Sequence, residues 1–337
     1  MSLGQSVKLS SGLDIPTLGF GTWQSAPGEV SKAVYEALKA GYRHLDLALI
    51  YENQPEVAEG IAKGLKDFNL KREDLFITSK LWNSQHSPAL VPKALDKALK
   101  ELNLTYLDQF LIHWPVAFQE VNSGDEYFPA DTSSTHKGGD VVINDSVTLA
   151  ETWKAVLALP KDKVRTVGVS NFNIEQLESI IAATGQVPAT NQIERHPLLP
   201  QPELIAYAKE KGIHITAYSA FGNNAFGLPL IINRPEVQAI AKKASARLGR
   251  DVTPAQVVLA WSKVGGHSVI PKSITPSRIA SNFDEIELSE EEIKDVDALG
   301  KNPQRFNIPY TANSPRWDIN IFNDPSEAPA THKPILK

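Results

Sequence analysis

The chain contains no cysteine. That absence removes disulfides, thiolate nucleophiles and zinc–thiolate centres, and it agrees with a reducing compartment. No apolar run is long enough to cross a bilayer. The opening MSLGQSVKLSSG lacks the basic-then-apolar pattern of a secretory signal, so the glycosylation triplets at Asn103 and Asn144 read as chance. Positive charge is not in excess either. Lys and Arg total 34 against 39 Asp and Glu, a formal net charge of -5, which argues against nucleic-acid binding and against a polybasic membrane patch. The expectation is a cytoplasmic protein, monomeric or weakly dimeric, whose partner is a small molecule.

What is present is an alternation. Short β-branched or apolar runs at 18–22, 44–48, 75–80, 110–113, 164–170, 189–193, 214–219 and 268–273 are separated by segments of helical period. The clearest of these is 88–102, with Leu90, Ala94, Leu95, Ala98, Leu99 and Leu102 on one face. Two helices, 235–248 and 254–263, separate the seventh and eighth runs, and Ser289 to Glu292 reads as a capping box opening a final helix. Repeated strand–helix units imply parallel strands, and eight of them imply a closed (β/α)8 barrel, which takes ~250 residues. The 337 residues therefore read as one domain, with the barrel over about 5–300 and a tail over about 300–337. The surplus falls in a polar loop at 115–146, another at 222–234, and the Pro- and Asn-rich tail. Residues 3–9 read as a hairpin strand closing the barrel floor. The competing architecture, an open doubly wound sheet, carries a Gly-rich turn after its first strand. Here Gly19-Phe-Gly-Thr-Trp-Gln lacks the third glycine and opens no helix.

Barrels of this kind build their active sites at the carboxyl ends of the strands. There the chain presents Trp23, Asp46 with Tyr51 just beyond, Lys80 and Trp82, His113 and Trp114, Ser170 and Asn171, Gln192 and Glu194, Tyr218 and Ser219, and Lys272 and Ser273. Singly, each has an ordinary structural explanation: a cap, a salt-bridge partner or amphipathic packing. Together they do not, because burying Asp, Lys, His and Tyr in one place is costly unless they pair. A phenol is a proton donor, an ammonium beside it lowers its pKa, a carboxylate keeps that ammonium charged, and a neutral imidazole can hold a carbonyl oxygen. Such a set protonates a developing alkoxide. No side chain supplies hydride, so a nicotinamide cofactor is implied.

The segments GYRHLDLALIYENQPEV (41–57), ITSKLW (77–82), FLIHWPVAF (110–118), VGVSNF (167–172), NQIERHPLL (191–199), ITAYS (215–219) and IPKSITPSRIASNF (270–283) resemble, in this order, the aldo-keto reductases. Within them they are most similar to the fungal NADPH-dependent aldehyde and carbonyl reductases. The resemblance implies Tyr51 as general acid, Asp46 and Lys80 as its tuning pair, and His113 as the group orienting the carbonyl. It implies NADPH (NADP+) as cofactor. Thr22 and Trp23 would lie beside it, Ser170, Asn171 and Gln192 would bind the carboxamide, and Tyr218 would stack on the ring. Ser219, Phe221 and Asn223 would border the pyrophosphate, Lys272, Ser273, Thr275 and Arg278 would hold the 2'-phosphate, and Asn282 the adenine. The substrate pocket would comprise Trp23, Ile50, Trp82, His113, Trp114, Phe118, Phe128, Asn307 and Trp317, with Phe221 at its edge. Trp153 and Trp261 fall on helices and are assigned to the core. No metal is expected.

Three departures from the family pattern stand out. Ser281 replaces a common glutamate facing the adenine, which leaves discrimination against NADH to Lys272 and Arg278. Ala220 replaces a frequent proline, which frees the seventh loop, and Lys161 to Lys163 replaces a glycine-containing turn. The activity implied is reduction of aldehydes and ketones, keto esters included, to alcohols. Ile50, where pentose-reducing relatives carry a polar residue, argues against a sugar substrate, whereas Asn307 argues for one. A pentose or aldose reductase or glycerol dehydrogenase of the same family is therefore the alternative. Outside that class stand a Schiff-base aldolase using Lys80 and a non-catalytic NADPH-binding regulatory barrel.

Overall fold

A computed structural model describes residues 4–223 and 227–337. A short antiparallel hairpin, β1 (Ser6–Lys8) and β2 (Asp14–Pro16), precedes eight parallel strands. These are β3 (Phe20–Gly21), β4 (His44–Asp46), β5 (Phe76–Leu81), β6 (Leu107–Ile112), β7 (Val164–Ser170), β8 (Thr190–Glu194), β9 (His214–Tyr218) and β10 (Ser268–Val269). Each pairs with its sequence neighbour. The ring closes where Gly19 N–H donates to Val269 O at 2.9 Å, Gly21 N–H to Pro271 O at 3.0 Å and Val269 N–H to Thr17 O at 2.9 Å. The (β/α)8 expectation holds, including the paired helices Pro235–Leu248 and Pro254–Ser262 between β9 and β10.

Strand alternation sorts the side chains. Phe110 and Ile112 of β6 and Ile77 and Leu81 of β5 belong to the main apolar cluster beneath the helices. The opposite parity points into the barrel, and much of it is polar. Gln109 donates to Thr190 Oγ1 across the interior at 2.7 Å, Thr78 donates to Gln109 Oε1 at 3.4 Å, and His214 Nε2 meets Ser268 Oγ at 2.9 Å. Expected as 110–113, the fourth strand in fact begins at Leu107. Its opening is polar for a structural reason: buried Asp108 accepts from Ile77 N–H at 2.9 Å and from Arg72 at 2.7 Å, so an apolar-run criterion starts too late. The hairpin seals the floor with Leu9 and Ile15 packed on Phe76.

The long connection after β6 is not free. Residues 115–146 fold back on themselves through bridges pairing Phe118 with Ile143 and Ala130 with Val141. They are then clasped to the tail, where Arg316 reaches both carboxylate oxygens of Asp140 at 2.7 and 2.9 Å. Trp153 and Trp261 are buried in the core, as expected.

Four buried imidazoles and one half-buried one resist protonation. Burial holds His44, His86 and His267 down to about 3 and His214 to about 4, and His113 lies well below the usual value. In the unfolded chain each returns to ~6.5. Below that pH the unfolded state binds more protons than the native one, so stability falls as pH falls through ~6.5 and goes on falling until the native values are reached. Urea midpoints at pH 7.0, 6.0 and 5.0 should decrease in that order. A midpoint that rose on acidification would contradict the burial of these groups.

Candidate active site

β4 ends at Asp46 and β5 carries Lys80 near its end, with the same interior parity. Lys80 is 0% exposed and Asp46 2%, and neither ion is tolerable there alone. They meet at 2.5 Å between Nζ and Oδ1. Lys80 also donates to Leu47 O at 2.7 Å, and Gln192 of β8 reaches across the barrel to donate to Asp46 Oδ2 at 2.6 Å. Beyond β4 a single 3-10 turn, Leu49–Tyr51, brings Tyr51 over this pair and ends at Glu52 in the left-handed region, φ 53°. Lys80 Nζ lies 5.3 Å from the centre of the Tyr51 ring, and His113, just past β6, stands edge-on to it with centroids 5.9 Å apart. The structure thus gathers all four side chains at one end of the barrel.

Their electrostatics differ from expectation in one respect. His113 is held well below the usual imidazole value by burial, by the Lys80 charge and by His86, and is therefore neutral at pH 7. Burial also lowers Lys80, against the opposing pull of Asp46. The expectation that Lys80 lowers the phenol of Tyr51 is not met. Burial, then Asp46, then Tyr218 hold it well above the usual value. Burial is the largest cause, and with Asp46 at 2.5 Å Lys80 faces Tyr51 as half of an ion pair and not as a lone cation.

A cavity of about 1000 Å³ runs from Asp46, Tyr51 and His113 of this quartet along the barrel mouth; Lys80 lies beneath its surface. Its floor includes Thr22, Trp23, Ser170, Asn171, Gln192, Tyr218, Ser219, Phe221 and Asn223, and its far end includes Lys272, Ser273, Arg278, Ser281 and Asn282. The middle residues are wired together. Tyr218 Oη donates to Asn171 Oδ1 at 2.6 Å, Asn171 Nδ2 to His113 O at 2.9 Å, and Ser170 Oγ to Gln192 O at 2.8 Å. Thr22 Oγ1 donates to Asp46 O at 2.9 Å. Thr275 does not line the cavity; its hydroxyl accepts from Arg278 at 2.5 Å. At the far end Lys272 donates to the Gln24 carbonyl at 2.5 Å. Burial and Arg278 lower the Lys272 pKa, while Glu29 raises it. Among the described residues neither Lys272 nor Arg278 has a carboxylate within ion-pairing distance. Two cations beside the N-terminus of the helix that begins at Pro276 are groups that could hold an anion. The cavity's length, an amide-rich middle and a cationic end are compatible with a dinucleotide.

At the near end the walls are aromatic. Trp23 and Phe128 are about 40% exposed, and Ile50, Trp82, His113, Trp114 and Trp317 complete the surface. Phe118, expected on this wall, stands behind it, edge-on to Trp317 at 4.9 Å and to Trp82 at 5.9 Å. Asn307 is on the wall, but its amide is engaged with Asn223 at 2.8 Å and Ser219 at 3.4 Å. Several lining residues carried no signal in the sequence: Leu230 and Ile232 from the seventh loop, Thr253 to Ala255 from an extra helix, and Pro309, Ala312 and Ser314 from the tail. Only the closed fold brings them there.

Comparison with known proteins agrees with this geometry. The model of the aldo/keto reductase family matches residues 17–301, and the chain belongs to that family: it is an oxidoreductase that reduces carbonyl groups with a nicotinamide cofactor. It is 57% identical to the D/L-glyceraldehyde reductase of Hypocrea jecorina over 338 residues, covering 100% of both chains. It is 40% identical to Aldo-keto reductase family 1 member A1 of Homo sapiens, over 95% of this chain and 98% of the other. Among solved structures it is similar to the aldose reductase of Schistosoma japonicum, with a TM-score of 0.80, 36% identity, and coverage of 93% and 97% of the two chains.

The Lys80–Asp46 pair has a measurable signature. Asp46→Asn strands a buried ammonium and Lys80→Met a buried carboxylate, each costing about 3–5 kcal/mol. The double variant removes both charges and should lose much less than the sum. Urea titration of the three variants checks this; simple additivity would mean that the two charges are not coupled.

Proposed function

We propose that the protein is an NADPH-dependent reductase of short aldehydes, hydroxyaldehydes of the glyceraldehyde type included, in which Tyr51 is the proton donor. The observation that carries this reading is a single cavity with Tyr51, His113 and Asp46 at one end, Lys80 buried behind Asp46, and Lys272 and Arg278 at the other. The 57% identity to a glyceraldehyde reductase over the whole chain supports the substrate class.

The chain's own residues account for binding and proton movement. Lys272, Ser273 and Arg278 would hold the 2'-phosphate, Asn282 the adenine, Ser219, Phe221 and Asn223 the pyrophosphate, and Ser170, Asn171 and Gln192 the carboxamide, with Tyr218 against the ring and Thr22 and Trp23 alongside. A nicotinamide bound there supplies hydride. His113, neutral, donates a hydrogen bond to the carbonyl oxygen and fixes its direction. Tyr51 stays protonated because burial and Asp46 disfavour its anion. Its proton passes to the carbonyl oxygen as that oxygen takes on alkoxide character. An alkoxide is a far stronger base than a phenolate, so the transfer is downhill without a lowered phenol pKa. The aromatic walls exclude water and fit the apolar faces of a small carbonyl compound.

An aldolase using Lys80 is disfavoured, because its ammonium is wholly buried and bound to Asp46, whereas a Schiff base needs a free amine open to substrate. Tyr51→Phe should lower kcat by roughly 10²–10⁴-fold with NADPH binding unchanged by fluorescence titration. Near-normal turnover would remove Tyr51 from its role. Lys272→Ala should raise KM for NADPH by roughly 10–100-fold, the worth of a charged hydrogen bond, and leave KM for NADH nearly unchanged. An equal effect on both would remove the phosphate assignment.

A further inference from the structure

Glu194 ends β8 with the same interior parity as Gln192, and its carboxylate is 0% exposed. The catalytic scheme does not use it. Its oxygens accept the backbone N–H of Phe306 at 2.7 Å and of Asn307 at 2.9 Å, and His196 Nε2 meets Oε1 at 2.9 Å. The Glu194 carbonyl accepts from Gln201 Nε2 at 2.6 Å, and Gln201 Oε1 in turn accepts from Arg305 at 3.0 Å. A buried carboxylate is thus committed to holding two successive amides of the tail, a costly device for an ordinary surface strap.

Of the held residues, Asn307 lines the cavity and touches the loop after β9. Asn223 Nδ2 donates to Asn307 Oδ1 at 2.8 Å, and Asn307 Nδ2 approaches Ser219 Oγ at 3.4 Å. Gly222, at φ 81°, lies so close to Phe306 that a Cβ there would sit 3.2 Å from its ring. Immediately downstream, Pro309, Ser314 and Trp317 form one wall of the carbonyl pocket. Residues 304–307 are therefore fixed on one side by Glu194 and on the other by the loop expected to border the pyrophosphate.

We propose that Asn307, presented by Glu194, is a positioning residue that couples the two ligand sites: the tail wall of the carbonyl pocket is seated on the loop that contacts the cofactor, so occupancy of either site tightens the other. This rests on the reductase reading given above. Linkage requires the effect to be reciprocal and of a size set by the latch contacts, and those contacts involve neither the proton donor nor the phosphate cations.

The test is calorimetric titration of NADP+ into the protein, alone and with glyceraldehyde, which the oxidised cofactor does not reduce. The wild type should bind NADP+ about fivefold or more tighter with the aldehyde present. Asn307→Ala should still bind NADP+ but show less than about a twofold effect, and Glu194→Gln should move the same way. Tryptic cleavage in the tail, at Arg305 or Arg316, should be slowed by NADP+ in the wild type and not in Asn307→Ala. Equal coupling in wild type and Asn307→Ala, or none in the wild type, overturns the proposal while leaving the reductase assignment standing. Absence of any NADP+ binding by the wild type removes that assignment and the latch with it.

Discussion

The buried ion pair between Lys80 and Asp46 is the constraint around which the mouth of this barrel is organised. Two charges with almost no solvent contact persist only if each finds its counterpart and its remaining hydrogen bonds inside the protein. Leu47 O and Gln192 Nε2 supply those bonds, which ties β4, β5 and β8 together across the interior. Position follows from this for the rest. Thr22 is anchored on the Asp46 carbonyl, and Tyr51 is delivered one 3-10 turn later over a pair whose net charge is close to zero.

That near-neutral pair explains how the proposed proton donor stays loaded. A lone cation would favour phenolate before substrate arrives, whereas a matched pair in a dry site favours phenol. Neutrality recurs at His113, where burial and the nearby Lys80 charge exclude a second positive charge. The near end of the cavity is thus hydrogen-bonding but nearly uncharged, and net positive charge is concentrated at Lys272 and Arg278. The polarity runs along the cavity, from a phosphate-attracting end to an aromatic one.

Much of this was legible in the sequence because the barrel turns a linear rule into a spatial one. Polar residues closing apolar runs, such as His113 after Phe110 to Ile112, mark strand ends, and in a parallel barrel all strand ends share one face. What was not legible depended on three-dimensional neighbours. Asp108 is tolerated at the second position of β6 because Arg72 and the Ile77 amide satisfy it. Phe118 falls behind Trp82 and Trp317 because the 115–146 segment turns back through its bridge to Ile143. The direction of the Tyr51 shift required knowing how deeply the phenol is buried and that Asp46 stands near it. Glu194 was visible as a strand-end carboxylate, but its partners are more than a hundred residues away in the tail.

The bidentate contact between Arg316 and Asp140 bears on how new substrate ranges arise on this scaffold. It makes the insertion at 115–146 and the tail two halves of one cover, resting on a barrel whose ring of strands closes without either. Grafting only one half from a relative would orphan a charge at the seam. Transplanting pocket preference between members of such a family therefore means moving both segments as a unit, and natural drift in one half should be answered by change in the other.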